Sequence, residues 1–398
     1  MKISVILAAI SAATPVVAAP GYRLIDLGTY AGESHAFAIA PSQGNARVIA
    51  GSSTGPDAHF SGFRFAPAAI PIAPLSPLRE AAVFDLAADG RAVGVSYNLG
   101  SMSWTGFASE SGVTTTIGSF IPRSINTAGD MAGTTTVISA NFGGLTLPRA
   151  CRYSQGFVQA LPTLGGSTGV GLAIDETGRV AGSAMNTNNA ASKPCLWTGL
   201  IASDLGTLGG AGGQVYALRT SAAVGGSQNA SGVWHATRWN LSPGGAVVSR
   251  DDLGALTPAD SSMAHAMNVS GDIVGTSAFR AVRWRSGTIT DLNTLASAPG
   301  WVLENAWDID DLGRIVGSGS LWGIPRAFLL TVACPADLNS DDAVDDADFA
   351  LFAAAYNLLI CDDPAMPPGC PADLNGDGYV DDADFAAFVP AYNDYICP

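Results

Sequence analysis

Ile174 to Gly182 reads IDETGRVAG, and the same nine-residue pattern returns as LAADGRAVG (Leu86 to Gly94), INTAGDMAG (Ile125 to Gly133), MNVSGDIVG (Met267 to Gly275) and IDDLGRIVG (Ile309 to Gly317). An apolar residue opens each copy, polar residues and a central glycine follow, and two apolar or small residues precede a closing glycine. Short apolar runs broken by a residue suited to positive φ are the pattern of a hairpin with a bulged turn. Two irregular copies, one longer and ending at Gly51, one shorter and ending at Gly225, complete the series. The seven closing glycines stand 39 to 50 residues apart, a period that indicates propeller blades or another stacked array.

Downstream of each hairpin an aromatic residue, often after arginine, marks a third strand: Arg64 and Phe65, Arg152 and Tyr153, Arg238 and Trp239, Arg283 and Trp284. A fourth strand ends in Asp-Leu-Gly or a variant, at Asp204 to Gly206, Asp252 to Gly254 and Asp291 to Asn293. The first such triplet, Asp26 to Gly28, precedes the first hairpin, whereas the last repeat stops after Arg326, Ala327 and Phe328. Tyr22 to Leu27 are therefore expected to complete the last blade, which would close the ring and remove its edges. The expected fold is mainly β, a seven-bladed β-propeller over residues 19–332. The series resembles the HAF-type extracellular repeat family, whose His-Ala-Phe triplet occurs at His35 to Phe37 and as Arg326 to Phe328. That resemblance implies a secreted propeller-like protein and no particular activity.

The chain closes on a duplication, CPADLNSDDAVDDADFALFAAAYNLLIC (Cys334 to Cys361) and CPADLNGDGYVDDADFAAFVPAYNDYIC (Cys370 to Cys397). Oxygen ligands fall at positions 1, 3, 5, 9 and 12 of two loops, 337–348 and 373–384: Asp337, Asn339, Asp341, Asp345 and Asp348, then Asp373, Asn375, Asp377, Asp381 and Asp384. Ala343 and Tyr379 would add the backbone carbonyl of position 7. Calcium takes six to eight hard oxygen donors, and this spacing supplies them, so two Ca2+ ions are expected. Gly378 suits the sharp turn at position 6, while the first loop has Asp342 there and should bind more weakly. Phe349, Phe352, Tyr356 and their copies Phe385, Phe388, Tyr392 share one helical face and should pack the motifs together, with Pro390 shortening or kinking the second helix. The duplication resembles type I dockerins, and its flanking cysteines those of the GC type. The resemblance implies a small α-helical module over 334–398 that docks a cohesin-like or other surface protein through Asp346, Ala347, Asp382 and Ala383.

Of the net charge of −15, residues 334–398 carry 14 Asp and no Lys or Arg, so the acidity belongs to the tail and no basic stripe invites nucleic acid. Met1 and Lys2, an apolar run from Ile3 to Ala13 and small residues to Ala18 have the plan of a signal peptide over 1–18, so an exported protein without a membrane span is expected. Export favours disulfides. The duplication suggests Cys334 with Cys361 and Cys370 with Cys397, while Cys151 and Cys195 are either a bridge or two buried thiols.

No catalytic constellation stands out. Ser53 and Ser167 match a nucleophile-elbow pattern inside hairpin repeats that lack its strand-to-helix turn, and the four histidines have no metal spacing. The recurring aspartates Asp26, Asp204, Asp252 and Asp291 suit hydrogen bonding at strand ends. Among eight tryptophans, Trp104, Trp301 and Trp322 fit the repeat least and are candidates for ligand contact. The reading is an exported, non-catalytic propeller anchored by a calcium-dependent docking module. Its rival is a polysaccharide-binding or polysaccharide-degrading component, since dockerins commonly accompany such enzymes.

Overall fold

A computed structural model describes residues 21–28, 33–40, 49–54, 60–66, 68–72, 79–98, 101–110, 113–118, 120, 121–139, 144–296, 298–332, 334–339 and 344–394, with backbone alone for 53–80. The expected signal peptide lies outside these residues. Seven four-stranded antiparallel sheets are present, and the innermost strand of each packs on the sheet before it, the first sheet's on the last. The chain is thus a β-propeller. Sheets are numbered here as blades 1 to 7 in chain order, their inner strands being Ser34–Ile39, Arg79–Leu86, Ile121–Ile125, Gly165–Ile174, Gly209–Arg219, Ser262–Met267 and Trp301–Ile309. Blade 4 shows the plan, with Gly165–Ile174, Val180–Asn186, Ser192–Thr198 and Ile201–Asp204 side by side in chain order.

The nine-residue motif is the turn between the first two strands. In blade 4 the Asp175 carboxylate accepts the N–H groups of Thr177 (3.0 Å) and Arg179 (2.9 Å), and Gly178 takes φ 81°. A side chain there would be strained, which explains the fixed central glycine. Arg179 also pairs with Asp175 at 2.7 Å with both side chains buried, and Arg314 repeats this with Asp310 in blade 7 at 2.6 Å. The four strand-end aspartates act as expected: Asp26, Asp204, Asp252 and Asp291 each accept the N–H two residues on, at 2.8 to 2.9 Å.

The aromatics of the third strands fill the spaces between blades. Trp197, Trp239 and Trp284 are all buried, and the indole N–H of Trp197 donates to Pro162 O (2.7 Å), that of Trp239 to Gly206 O (2.8 Å). Trp239 packs with Leu196 and Leu205 of blade 4 and with Val215 and Ala223 of its own blade, so one core spans two blades. Burying a side chain of that size contributes roughly 2–3 kcal/mol or more, and its hydrogen bond removes the penalty for a buried donor. Cys151 and Cys195 are buried free thiols, not a bridge, and burial pushes the Cys151 thiol up to about 12.

The N-terminal strand Tyr22–Asp26 closes the ring, pairing antiparallel with Ile324–Val332 of blade 7 in a register from Tyr22 opposite Val332 to Asp26 opposite Phe328. Leu27 extends the ladder, its N–H donating to Ala327 O at 3.1 Å. Tyr22 then sits over blades 6 and 7, its hydroxyl accepting from Arg283 at 2.9 Å. The two His-Ala-Phe-like triplets are not equivalent, because His35 to Phe37 lie in the inner strand of blade 1 and Arg326 to Phe328 in the third strand of blade 7.

Beyond the ring, helices Asp346–Tyr356 and Asp382–Asp394 form the tail. Phe352 and Phe388 are fully buried with ring centroids 5.0 Å apart, flanked by Phe349 against Tyr392 (5.6 Å) and Phe352 against Phe385 (5.8 Å). Two tail expectations need correction. Of the shortening or kinking expected at Pro390, the shortening does not occur: Pro390 lies inside the second helix, which runs 13 residues against 11 in the first, and the rings of Phe388 and Tyr392 on either side of it stack on each other. The bridge present is Cys361–Cys370, with Cα atoms 5.3 Å apart, so neither Cys334–Cys361 nor Cys370–Cys397 forms as expected. The physical reason is that the chain leaving the first helix pairs with the second loop, through Cys361 N–H to Gly378 O (3.1 Å) and Val380 N–H to Leu359 O (2.9 Å), which lays Cys361 beside Cys370. Cys334 is disulfide-bonded too, and Cys397 lies outside the described residues.

Candidate functional site

Two places gather chemistry, the propeller's channel and the tail's loops. In all seven blades the ladder between the first two strands slips by one residue, opposite or just after the motif's closing glycine. The unpaired residue is Phe37, Phe84, Arg123 and Leu172 in blades 1 to 4, then Tyr216, His265 and Trp307 in blades 5 to 7. A bulge re-aims one side chain, and all seven line a central cavity of about 470 Å3. The closing glycines are the counterpart: a Cβ built on Gly182 would fall 2.0 Å from Val170 O, and one on Gly275 1.9 Å from Met263 O. Only glycine lets the second strand approach the carbonyl two residues before the bulged one.

Four of these side chains form a continuous arc. Tyr216 meets His265 edge-on (5.7 Å), His265 stacks on Trp307 (4.5 Å), and Trp307 meets Phe37 edge-on (5.9 Å). His265 Nδ1 lies 2.9 Å from Ala306 O, so that nitrogen carries the proton, and burial lowers the ring's pKa to about 4 against the help of this bond. Across the channel the Arg123 guanidinium lies over the Phe84 ring, 4.2 Å from its centroid. Two carboxyls sit beside the bulges and tie blades together. Asp308 accepts from Ile309 (2.9 Å) and from Ile39 of blade 1 (3.0 Å), and Asp85 from Leu86 (2.8 Å) and from Ile125 of blade 3 (2.9 Å). Burial pushes Asp308 up to about 8 and Asp85 up to about 6, against those N–H groups.

In the tail, the last ligand of each loop is fully buried. Asp348 accepts the N–H of Asn339 (2.9 Å) and of Asp345 (3.1 Å), and Asp384 likewise those of Asn375 (3.0 Å) and Asp381 (2.9 Å). In the second loop Asp373 accepts from Gly376 (2.7 Å), Asp377 (3.1 Å) and Gly378 (2.9 Å), Asn375 Oδ1 from Asp377 (2.9 Å), and Asp377 from Tyr379 (2.9 Å), with Gly378 at φ 89°. The carboxylates thus face inward along a curled loop and are hard oxygen donors, the kind calcium takes. Among the described residues the one group of three or more acidic, His or Cys donors within 4.8 Å is Cys361, Cys370 and Asp373, and the bridged sulfurs rule it out as a metal centre. The loop's carboxylates are therefore ordered by amides without being drawn into one ring. Asp337 of the first loop is nearly buried and points toward Arg23 of the closing strand at 4.0 Å. Asp341 and Ala343 lie outside the described residues.

Asp346, Ala347, Asp382 and Ala383 are all exposed at the helix starts. Each of the two aspartates also receives a hydroxyl from the other motif, Tyr392 to Asp346 at 2.5 Å and Tyr356 to Asp382 at 2.6 Å. This reciprocal pairing gives the tail its near-twofold form. The tryptophans singled out from sequence do not line the channel: Trp104 and Trp322 are exposed, Trp104 against Tyr97 (4.6 Å), and Trp301 packs beside the core of blades 6 and 7. Trp307, which does, was missed, although its place two residues before the motif's first apolar residue is shared by every channel-lining bulge. Ser53 and Ser167 lie in strands, away from any strand-to-helix turn.

No protein-family model matches this chain, and no curated protein matches it. Similar solved structures include a puromycin-hydrolysing peptidase of Mycobacterium tuberculosis, at 10% identity over 78% of this chain and 54% of that one (TM-score 0.44). Others are a chain of a mitotic checkpoint complex, at 15% identity over 84% and 99% (TM-score 0.39), and a protein of unknown function from Dyadobacter fermentans, at 11% over 79% and 100% (TM-score 0.37). The chain spans about half the length of the peptidase.

Proposed function

We propose that this is an exported, non-catalytic, seven-bladed propeller held on a partner protein or extracellular assembly by a calcium-binding, dockerin-like tail. The observation that carries the reading is the equivalence of the two loops. In both, a fully buried aspartate at position 12, in the first turn of a helix, gathers the amides of positions 3 and 9, and that helix starts on an exposed Asp-Ala pair. A disordered acidic tail would not repeat that arrangement. Calcium would be held by Asp337, Asn339, Asp341, Ala343, Asp345 and Asp348, and by Asp373, Asn375, Asp377, Tyr379, Asp381 and Asp384. There it would offset repulsion among 14 aspartates in a tail that has no Lys or Arg of its own. The cohesin-like partner would meet Asp346, Ala347, Asp382 and Ala383.

Calorimetry on the full chain, stripped with chelator and titrated with calcium, tests the reading. Two sites are expected, the tighter lost in Asp373→Ala and the weaker in Asp337→Ala. A chain that takes up no calcium refutes it. Capture of a cohesin-like partner should depend on calcium and fall when Asp346 and Ala347, or Asp382 and Ala383, are changed to lysine. If sugar reducing ends appear when the protein meets plant, algal or bacterial polysaccharides, the rival reading of a polysaccharide-degrading component replaces the non-catalytic one.

A further inference from the structure

We propose that the central channel binds a small ligand carrying one carboxylate on a ring, with the carboxylate on Arg123 and the ring against the arc of Tyr216, His265, Trp307 and Phe37. The proposal rests on the channel alone and stands whether or not the tail binds calcium.

The first support is that the bulge is repeated while its side chain is not. Packing between blades needs small residues beside the bulge, and the sequence supplies them, as with Ala36 and Ala38, Ala264 and Ala266, or Ala306, five residues that are all buried. The bulged position itself carries Phe, Phe, Arg, Leu, Tyr, His and Trp around the ring. A plug needed only to fill the axis would be met by one apolar residue type used throughout. Here the aromatic arc from Tyr216 to Phe37 lies on one side, and a cation flanked by Phe84 and Leu172 stands opposite. Aromatic side chains on a rigid strand are also good platforms for a ring, because little rotamer freedom is lost on binding.

Charge in the channel supplies the second support. Asp175 and Asp310, at the end where the hairpin turns lie, are paired with Arg179 and Arg314; Asp311 with Arg219 (3.0 Å); and Glu176 accepts from Thr127. Asp85 and Asp308 are bonded to N–H groups of their own and adjoining blades. Arg123 differs from all of these, since among the described residues its contact is with the Phe84 ring and no carboxylate reaches it. A planar guanidinium fixed on an aromatic face presents its free edge for two parallel hydrogen bonds, the geometry a carboxylate fits. One arginine matches one negative charge. A doubly charged phosphate would bring a second charge into a partly dehydrated channel whose other lining arginine, Arg219, is already paired with Asp311.

Size is the third support, for a cavity of about 470 Å3 lies within the range of small-molecule sites, roughly 300–1,000 Å3. It admits one or two rings and excludes a polymer segment of greater bulk. Two sources share the required chemistry, a sugar acid and an aromatic acid.

Purified full-length protein is titrated by calorimetry with galacturonate and with phenylacetate, each beside an uncharged counterpart, galactose and phenylacetamide. One acid should bind about tenfold or more tightly than its counterpart, with quenching of tryptophan fluorescence, and which acid it is identifies the source. Arg123→Gln should lose about tenfold in affinity for the acid, and Trp307→Leu should weaken acid and counterpart alike. Trp104→Leu, an exposed side chain of blade 2's third strand that lies outside the channel, should change nothing. The comparison of acid with counterpart uses the unaltered protein, so a variant that misfolds does not decide the matter. The proposal is overturned if neither acid saturates by about 10 mM, if counterparts bind as well as acids, or if folded Arg123→Gln keeps full affinity.

Discussion

Replacing Gly275 by alanine tests whether glycine is what lets each blade aim a side chain into the channel. Gly275 pairs with Ala264 immediately before the bulge at His265, and a Cβ there would stand 1.9 Å from Met263 O and 3.0 Å from Ala264 Cα. Contacts of that kind rarely fall below 3.0 Å, so the strands must separate by about 1 Å. They are not free to do so, because Ala264 and Val274 beside them are wholly buried between blades. Forcing a methyl group into such a site costs about 1–3 kcal/mol. For a ring of this size that is a fall in melting temperature of roughly 1.5–5 °C. Gly244→Ala is the control, since its Cβ would meet nothing nearer than Ser242 Oγ at 4.0 Å and its φ is not positive. That variant should match the parent or gain slightly from reduced freedom of the unfolded chain. Melting followed by circular dichroism at 218 nm and in the aromatic region decides it, and the aromatic signal should change in Gly275→Ala as the His265–Trp307 stack loosens. A melting temperature for Gly275→Ala within about 1 °C of the parent would show that the glycine does not clamp the bulge.

Removing residues 21–28 should strip blade 7 of its fourth strand, exposing the edge of Ile324–Val332 and freeing Arg283 from Tyr22, so melting temperature and protease resistance should both fall. Unchanged values would mean that the N-terminal strand does not seal the ring. A pH dependence follows from His265, whose pKa is about 4 in the folded chain against 6.5 unfolded. The folded state binds fewer protons in that interval, so this residue's contribution is intact above about pH 6.5 and is lost as pH falls toward 4. Melting curves of the parent and His265→Gln from pH 7.5 to 4 should diverge, the variant losing less; parallel curves would refute the assignment.

Much of the architecture was legible because its causes are local. A glycine at positive φ closes the same turn in five blades, at Gly90, Gly129, Gly178, Gly271 and Gly313, and Asp175 with its amides shows why a polar residue recurs ahead of it. The Asp-Leu-Gly strand ends and the third-strand tryptophans were legible for the same reason, since each does one job within a strand or two. Closure by Tyr22 to Leu27 was legible from a missing fourth strand at the far end of the series. The Cys361–Cys370 bridge was not, because it depends on where the chain runs after the first tail helix, and spacing within each copy carries no trace of that pairing.

The channel marks the boundary most clearly. Sequence by itself determined that glycines such as Gly182 and Gly275 close each hairpin, because a repeated glycine signals a place where a side chain cannot go. Only the tertiary structure decided why: a one-residue slip in each ladder, which turns Arg123, Tyr216, His265 and Trp307 out of the alternating strand pattern and toward one axis. Taken in chain order those residues stand 42 to 93 positions apart, and although each holds the same place in its repeat, no single repeat shows that they face one another. Their meeting follows from ring closure, a long-range consequence of blades packing on blades that no single repeat encodes.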